Sequence, residues 1–311
     1  MKPWLSWRQY WPALKVKLGQ VMEIDEIINE IEEIRKRGYG EYADVKGVKI
    51  RYLVMGSGPK VLLLHGFGGF METWAFNIPP LSKRYRVYAI DLPGHGLSDK
   101  PKNSYNTAFA IESAHDIMET LGIDQATLIG HSLGGAVSIN IALSLPERVS
   151  KLVLIDSAGL SRTLPWLYRL SAVPVLGNML LSLAVEPALE LSLKRLFYDS
   201  PALSDELKNI ILENSSRPGV RETLLSILKQ NAGLRGPRPE AVLIDKLPQL
   251  KVPSLFVHGA QDRVFPLKQV REAFSMAPDS RVKIFDQCGH CPHIEKAVEF
   301  NETVMEFLEG N

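Results

Sequence analysis

Short, mostly apolar runs recur along this chain, and helical stretches separate most of them. Residues 61–64, 86–91, 126–130, 151–156, 252–258 and 281–285 are each of strand length, and residues 42–55 read as a strand pair with Gly47 in its turn. Continuous apolar runs, rather than an apolar–polar alternation, point to strands buried on both faces, hence to a parallel sheet covered by helices. Residues 112–121, 133–145 and 294–308 fit the intervening helices.

Two stretches depart from this alternation. Residues 159–247 contain no good buried strand, are rich in Leu and in helix formers, and are punctuated by Pro165, Pro174, Pro187, Pro201 and Pro218. We read them as a helical cap inserted between the strands at 151–156 and 252–258; extra peripheral helices would give the same pattern. Within them, residues 170–185 carry no charge, which suits a helix core, a pocket wall for an acyl chain or a membrane-touching lid. Residues 1–40 form an N-terminal helical extension. Its first 20 residues combine Lys2, Arg8, Lys15 and Lys17 with Trp4, Trp7 and Trp11 and no acid; from Glu23 the sign flips and isoleucines recur at helical spacing. A basic, tryptophan-bearing arm suits peripheral membrane contact through residues 1–20, and equally an aromatic face packed on the core or swapped into a dimer. Core segments are then 41–158 and 248–311.

With 311 residues the chain can bury a large core, and a net charge of +1 gives no general attraction to nucleic acid. Two cysteines do not make a disulfide framework, no apolar run is long enough to span a bilayer, and charges interrupt any signal-like segment at the start, so the expected compartment is the cytoplasm, with membrane association through the arm.

The chemistry centres on Gly130-His131-Ser132-Leu133-Gly134, a G-x-S-x-G that directly follows one strand and opens a helix. A serine on such a turn is presented at a helix N-terminus whose amides can stabilise an oxyanion. A serine hydroxyl needs a base. Of seven histidines, His290 in Cys288-Gly289-His290-Cys291 lies on the loop after the last strand; His293 is its rival. The acid that orients the base is Asp262, just past the strand at 252–258, with Asp156 as the alternative at the end of another strand. Oxyanion donors are the backbone N–H of Leu133 and, from His65-Gly66-Phe67-Gly68-Gly69, that of Phe67. His131, Gly66 and Gly68 are expected to line the substrate pocket. Cys288 and Cys291 form a C-x-x-C that has too few partners for zinc; a disulfide stiffening the histidine loop is its remaining reading. No metal or other cofactor is called for.

These motifs resemble the α/β-hydrolase superfamily, in its capped esterase and lipase branch: HGFGG at 65–69, DLPGHGLSD at 91–99, GHSLGG at 130–135, HGAQDRVFP at 258–266 and GHCPHIEKAVEF at 289–300. The resemblance implies an α/β fold with a mostly parallel, eight-stranded sheet flanked by helices, an inserted helical cap, and Ser132, Asp262 and His290 as a triad. It implies a structural role for the turn at 91–98. The expected activity is hydrolysis of small-molecule carboxylic esters with apolar acyl or aryl groups. Alternatives on the same triad are acyl transfer or perhydrolysis, carbon–carbon bond hydrolysis, and a slow-turnover ligand receptor. Carbon–carbon bond hydrolases of this fold usually carry Asn and Trp where this chain has His131 and Cys291, which speaks against that activity.

Overall fold

The computed structural model describes residues 40–102, 105–173, 192–198 and 205–310. The expected N-terminal extension and its membrane contact, and most of the uncharged run at 170–185, lie outside these residues. Among the described residues no helix is long and apolar enough to cross a membrane.

Eight strands make one sheet. In chain order they are β1 (Glu41–Val45), β2 (Val48–Met55), β3 (Lys60–Leu64), β4 (Arg86–Ile90), β5 (Ala126–His131), β6 (Val149–Ile155), then, after the two-residue pairing partners β7 (Ala232–Gly233) and β8 (Gly236–Pro237), β9 (Ser254–Gly259) and β10 (Ser280–Phe285). Their spatial order is β1-β2-β4-β3-β5-β6-β9-β10. β1 and β2 join the edge antiparallel, and every other neighbouring pair is parallel. The β1–β2 turn is Lys46-Gly47, both at positive φ (51° and 83°), as a two-residue hairpin requires.

The period of two along each strand divides the core. Leu62 and Leu64 go to one face with Leu128, Leu154 and Phe256. Val61 and Leu63 go to the other with Ile129, Val153 and Val257. Of the helices α1 (Ile78–Ser82), α2 (Thr107–Thr120), α3 (Leu133–Ser144), α4 (Trp166–Ser171), α5 (Asp205–Ser215), α6 (Val220–Asn231), α7 (Leu267–Met276), α8 (Pro292–Glu295) and α9 (Ala297–Glu309), α2, α3 and α7 cover the first face through Ile117, Ile139 and Val270. α1 and α9 cover the second through Leu81, Phe300 and Val304. Each such side chain is worth about 1.5–3 kcal/mol relative to exposure.

Two helices differ from expectation. α2 starts five residues earlier than the apolar periodicity suggests, because Asn106 caps it, its side chain accepting the Phe109 N–H at 2.9 Å. The stretch expected as one helix over 294–308 is two, α8 and α9, broken at Lys296, whose backbone (φ −127°, ψ 41°) leaves the helical region.

Residues 159–247 run between β6 and β9, which pair directly across them, Leu152 opposite Ser254 and Ile155 opposite Val257. Their helix α6 packs over the ends of β3 and β4. Leu228 clusters with Phe67, and a Cβ added at Gly68 would sit 3.8 Å from Leu224. The turn after β4 is structural, as the resemblance implies. Asp91 accepts the N–H groups of Met71 (2.6 Å) and Leu97 (2.8 Å) and pairs with buried Arg51 at 3.2 Å, while Arg51 also reaches Glu72 at 2.7 Å.

Candidate active site

The parallel strands deliver their following loops to one edge of the sheet, where ligands bind in folds of this kind. Ser132 follows β5, Asp156 follows β6, Asp262 follows β9 and His290 follows β10.

Ser132 has φ 51° and ψ −111°, a conformation that costs a non-glycine residue roughly 1–3 kcal/mol. Its surroundings hold it there. The Ser132 N–H donates to Ile155 O on β6 (2.8 Å), and its carbonyl accepts from Gly135 (3.0 Å), Ala136 (3.2 Å) and Ala158 (3.0 Å). The flanking glycines are there for contact: a Cβ at Gly134 would overlap the Leu64 carbonyl, and one at Gly130 the Gly134 carbonyl.

Asp262 and His290 are together. Oδ2 of Asp262 lies 2.8 Å from Nδ1 of His290, both residues buried. Oδ1 of Asp262 accepts the N–H of Val264 (2.6 Å) and of Phe265 (3.1 Å), which fixes the carboxylate's direction. Burial opposes ionisation of Asp262, yet the adjacent His290 and its hydrogen bond hold the carboxyl down at about 2.

Asp156 is not the partner of His290 Nδ1. It is fully buried at φ 40°, accepts the Gly259 N–H at 3.2 Å and faces Nδ1 of His258 at 3.1 Å. Burial, then the charge of Asp262, push its carboxyl well above the usual range. His293 is elsewhere too: it stacks on Trp74 with ring centroids 4.6 Å apart, and burial lowers it to about 3.

The loop at 65–69 is held by its own atoms. Gly69 N–H donates to Gly66 O (2.9 Å), His65 Nδ1 contacts the same carbonyl (2.9 Å), and His65 Nε2 accepts the Leu92 N–H (3.0 Å). That acceptance fixes His65 as the neutral Nδ1–H tautomer, and burial lowers it to about 4. No acceptor among the described residues takes the N–H of Phe67 or of Leu133.

A cavity of about 170 Å³ opens beside Leu133 and runs along α3 past Ala136 and Val137 toward Asn140, roofed by Ile227 and Leu228 of α6. None of its described lining residues is Lys, Arg, Asp or Glu. His131, Gly66 and Gly68, expected from sequence to line a substrate pocket, are not among this cavity's described lining, and neither are Ser132 and His290. His131 lies beneath His290, its Nε2 at 2.7 Å from the His290 carbonyl and its ring 4.9 Å from the His290 ring. Gly66 packs on that ring, a Cβ there falling 2.8 Å from His131 Nδ1, and Gly68 faces Leu224. His131 and Gly66 thus pack beneath the histidine loop, whereas Gly68 faces the insertion.

Sequence reasoning also missed Glu295. Its Oε1 accepts the N–H of Gly289 (2.9 Å) and Cys291 (3.2 Å), on either side of His290. Cys288 and Cys291 are free, buried thiols rather than a disulfide, and Cys288 Sγ donates to Glu295 at 3.8 Å.

A family model described as alpha/beta hydrolase fold matches residues 59–297. The chain belongs to the α/β-hydrolase family. Its relatives differ in what their names say they do. The dihydrolipoyllysine-residue acetyltransferase component of an acetoin cleaving system from Cupriavidus necator is 32% identical over 271 residues, 87% of this chain and 69% of that one. A 2-hydroxy-6-oxo-2,4-heptadienoate hydrolase from Pseudomonas putida is 30% identical over 282 residues, 84% of this chain and 93% of that one. Among solved structures, a membrane phospholipase A described as a bacterial virulence factor superposes with a TM-score of 0.76 at 27% identity, covering 96% of both chains. As an α/β hydrolase, this chain shares a fold on which several chemistries are built.

Proposed function

We propose that this α/β hydrolase is a serine esterase that cleaves uncharged carboxylic esters with an apolar acyl group. The observation that carries the reading is the Asp262–His290 pair at 2.8 Å, near a cavity that reaches Leu133, next to Ser132, and Phe265, whose ring lies 5.5 Å from that of His290, and whose described lining has no charged side chain. Ser132 Oγ attacks the ester carbonyl while its proton passes to His290 Nε2. The N–H groups of Phe67 and Leu133 receive the oxyanion. His290 then returns the proton to the leaving alkoxide as the carbon–oxygen bond breaks, leaving an acyl-enzyme. Water repeats the sequence and releases the acid. Asp262 holds His290 with its proton on Nδ1, leaving Nε2 free to act as base.

The phospholipase likeness supports ester chemistry. The dienoate hydrolase relative supports a second reading, hydrolysis of a carbon–carbon bond in a substrate that carries a carboxylate. The uncharged lining favours the first, because a carboxylate buried there would have no cationic partner among the described residues.

The test is turnover of chromogenic esters of graded acyl length beside a 2-hydroxy-6-oxodienoate, with Ser132→Ala as control. Ester turnover that vanishes in Ser132→Ala is expected. Faster turnover of the dienoate would replace the first reading with the second, and full activity in Ser132→Ala would overturn both.

A further inference from the structure

The side chain of His290 is held by one hydrogen bond, to Asp262. Its ring packs against those of His131 and Phe265, and its backbone is held from three directions. Its carbonyl faces His131 Nε2 at 2.7 Å, from the core side. Its N–H donates to the carbonyl of Leu196 at 2.6 Å, from the insertion between β6 and β9. The amides on either side, of Gly289 and Cys291, both donate to Oε1 of Glu295. The other oxygen of that carboxylate, Oε2, accepts the N–H of Tyr198 at 2.7 Å. Glu295 therefore bonds the histidine loop with one oxygen and the insertion with the other.

Two further contacts close the same junction. A Cβ on Gly289 would stand 2.6 Å from Leu196 O and 2.7 Å from Tyr198 N, so the two backbones touch. Arg263, next to Asp262, donates to the Lys194 carbonyl. Residues 194–198 are thus bonded to the loops of both triad candidates, Asp262 and His290.

We propose that Glu295 is a positioning residue for His290, tying the histidine loop to residues 196–198 so that docking of the insertion and placement of the base are one event. The proposal rests on the serine-hydrolase reading above. The short helix α8 makes it feasible: the N–H groups of Ile294 and Glu295 both return to Cys291 O at 2.9 Å, and this one turn folds Glu295 back over the amides it serves. The role suits a carboxylate in particular. Burial pushes Glu295 up, and its amide donors, with the Cys288 thiol, favour the charged form against that push. An amide at this position still offers a carbonyl to Gly289 and Cys291 but turns an NH2 group toward the Tyr198 N–H, which keeps the clamp on the histidine and breaks the tie to the insertion.

The experiment compares wild type, Glu295→Ala and Glu295→Gln by kcat/KM on a short-chain and a long-chain ester, by the rate of Ser132 labelling with a fluorophosphonate, and by Tm, with rates taken well below every Tm. Misplacing a catalytic base by about 1 Å lowers the rate about 100-fold, and that loss is expected in Glu295→Ala, equal on both esters and matched in labelling. Glu295→Gln is expected to fall between the two, faster than Glu295→Ala because the clamp is kept and slower than wild type because the tie to Tyr198 is broken; a glutamine variant as fast as wild type would overturn the coupling to the insertion. A pocket effect would instead change the ratio between the two esters. A merely structural role would lower Tm and leave the rates of the folded protein intact. Either result overturns the proposal, as does a glutamine variant no faster than the alanine one. Should Glu295→Ala fail to fold, Glu295→Asp takes its place, with an equal loss on both esters supporting the proposal and unchanged rates overturning it. Wild type that fails to label overturns the serine-hydrolase reading itself; labelled wild type with an equally reactive Glu295→Ala overturns only the positioning role.

Discussion

Oδ1 of Asp156 lies 3.1 Å from Nδ1 of His258, and the other ring nitrogen, Nε2, lies 3.0 Å from the Phe265 carbonyl. A carbonyl can only accept, so Nε2 carries hydrogen. Nδ1 of the neutral ring is then a lone pair, and a carboxylate oxygen at 3.1 Å would be a second one. Burial lowers His258 and raises Asp156, which the neighbouring charge of Asp262 raises further. Behind the Asp262–His290 pair, the carboxyl of Asp156 is thus biased toward its neutral form.

Replacing Asp156 by Asn keeps the shape of the side chain and makes it neutral at every pH. Kcat/KM is expected to stay within about 10-fold of wild type, a smaller loss than that of a working acid–base group. Stability carries the clearer signature. A carboxyl whose folded pKa is raised holds its proton where the unfolded chain has lost it, so it destabilises progressively as pH rises above the unfolded value of about 4. The Tm advantage of Asp156→Asn over wild type is expected to widen from pH 4 upward. A constant difference across pH would mean that Asp156 is ionised in the fold.

The order of the strands explains why sequence alone left Asp156 and Asp262 both open. β6 and β9 are neighbours, so the residues that follow them arrive side by side, and both carboxylates belong at the site. Which one meets Nδ1 of His290 depends on the Val264 and Phe265 amides that aim Asp262. Ser132, by contrast, was legible at once, because strand, glycines and helix are all local. So were the strands, whose apolar runs carry their own burial. Glu295 was hidden: at the end of a four-residue helix it reads as a solvated acid, and only the fold brings Tyr198 against it. The packing of His131 beneath His290 was hidden as well, because a motif gives neighbours in sequence and not the side of the loop they face.

Asp262→Asn removes the partner that fixes the His290 tautomer. A loss of about 10⁴-fold in kcat is expected, as for the orienting acid of a serine triad. Measuring kcat on one ester for both proteins checks it, and a loss below about 10-fold would show that Nδ1 is oriented without this carboxylate.

Acid should unfold this protein steeply. Burial lowers His65 to about 4, and His95 and His293 to about 3, and takes His131 well below its ordinary value. A histidine with a depressed folded pKa contributes stability that is complete above the unfolded value near 6.5 and lost as pH falls toward the folded one. At pH 5 these four and His258, also lowered by burial, take up protons on unfolding, while Asp156 and Glu295, both raised by burial, give some up. Uptake outweighs release, so the unfolding free energy is expected to fall as pH drops through 5. Urea unfolding at pH 6.5, 5.5 and 4.5 measures the slope; a flat profile would contradict neutral burial of the four rings.

In the proposed esterase, the cavity along α3 is expected to receive the acyl chain. Ala136 lines it one turn past Leu133. Ala136→Phe is expected to lower kcat/KM on long-chain esters by about 10-fold or more, and to spare acetate esters, since each excluded methylene forfeits about 0.8 kcal/mol of burial. Equal losses across the series would place the acyl chain elsewhere.

The direct pairing of β6 with β9 across residues 159–247 has a consequence for the order of events on the ribosome. Ser132 leaves the tunnel 130 residues before Asp262 and 158 before His290. At about 5–20 residues per second, the nascent chain carries its elbow for roughly 7–26 s before the acid is even made. Through that interval the first six strands have no partner for the exposed edge of β6, and the serine has no base. On the proposed serine-hydrolase reading, the chain is unarmed while it is most exposed, and the strands that complete the sheet are the ones that arm it.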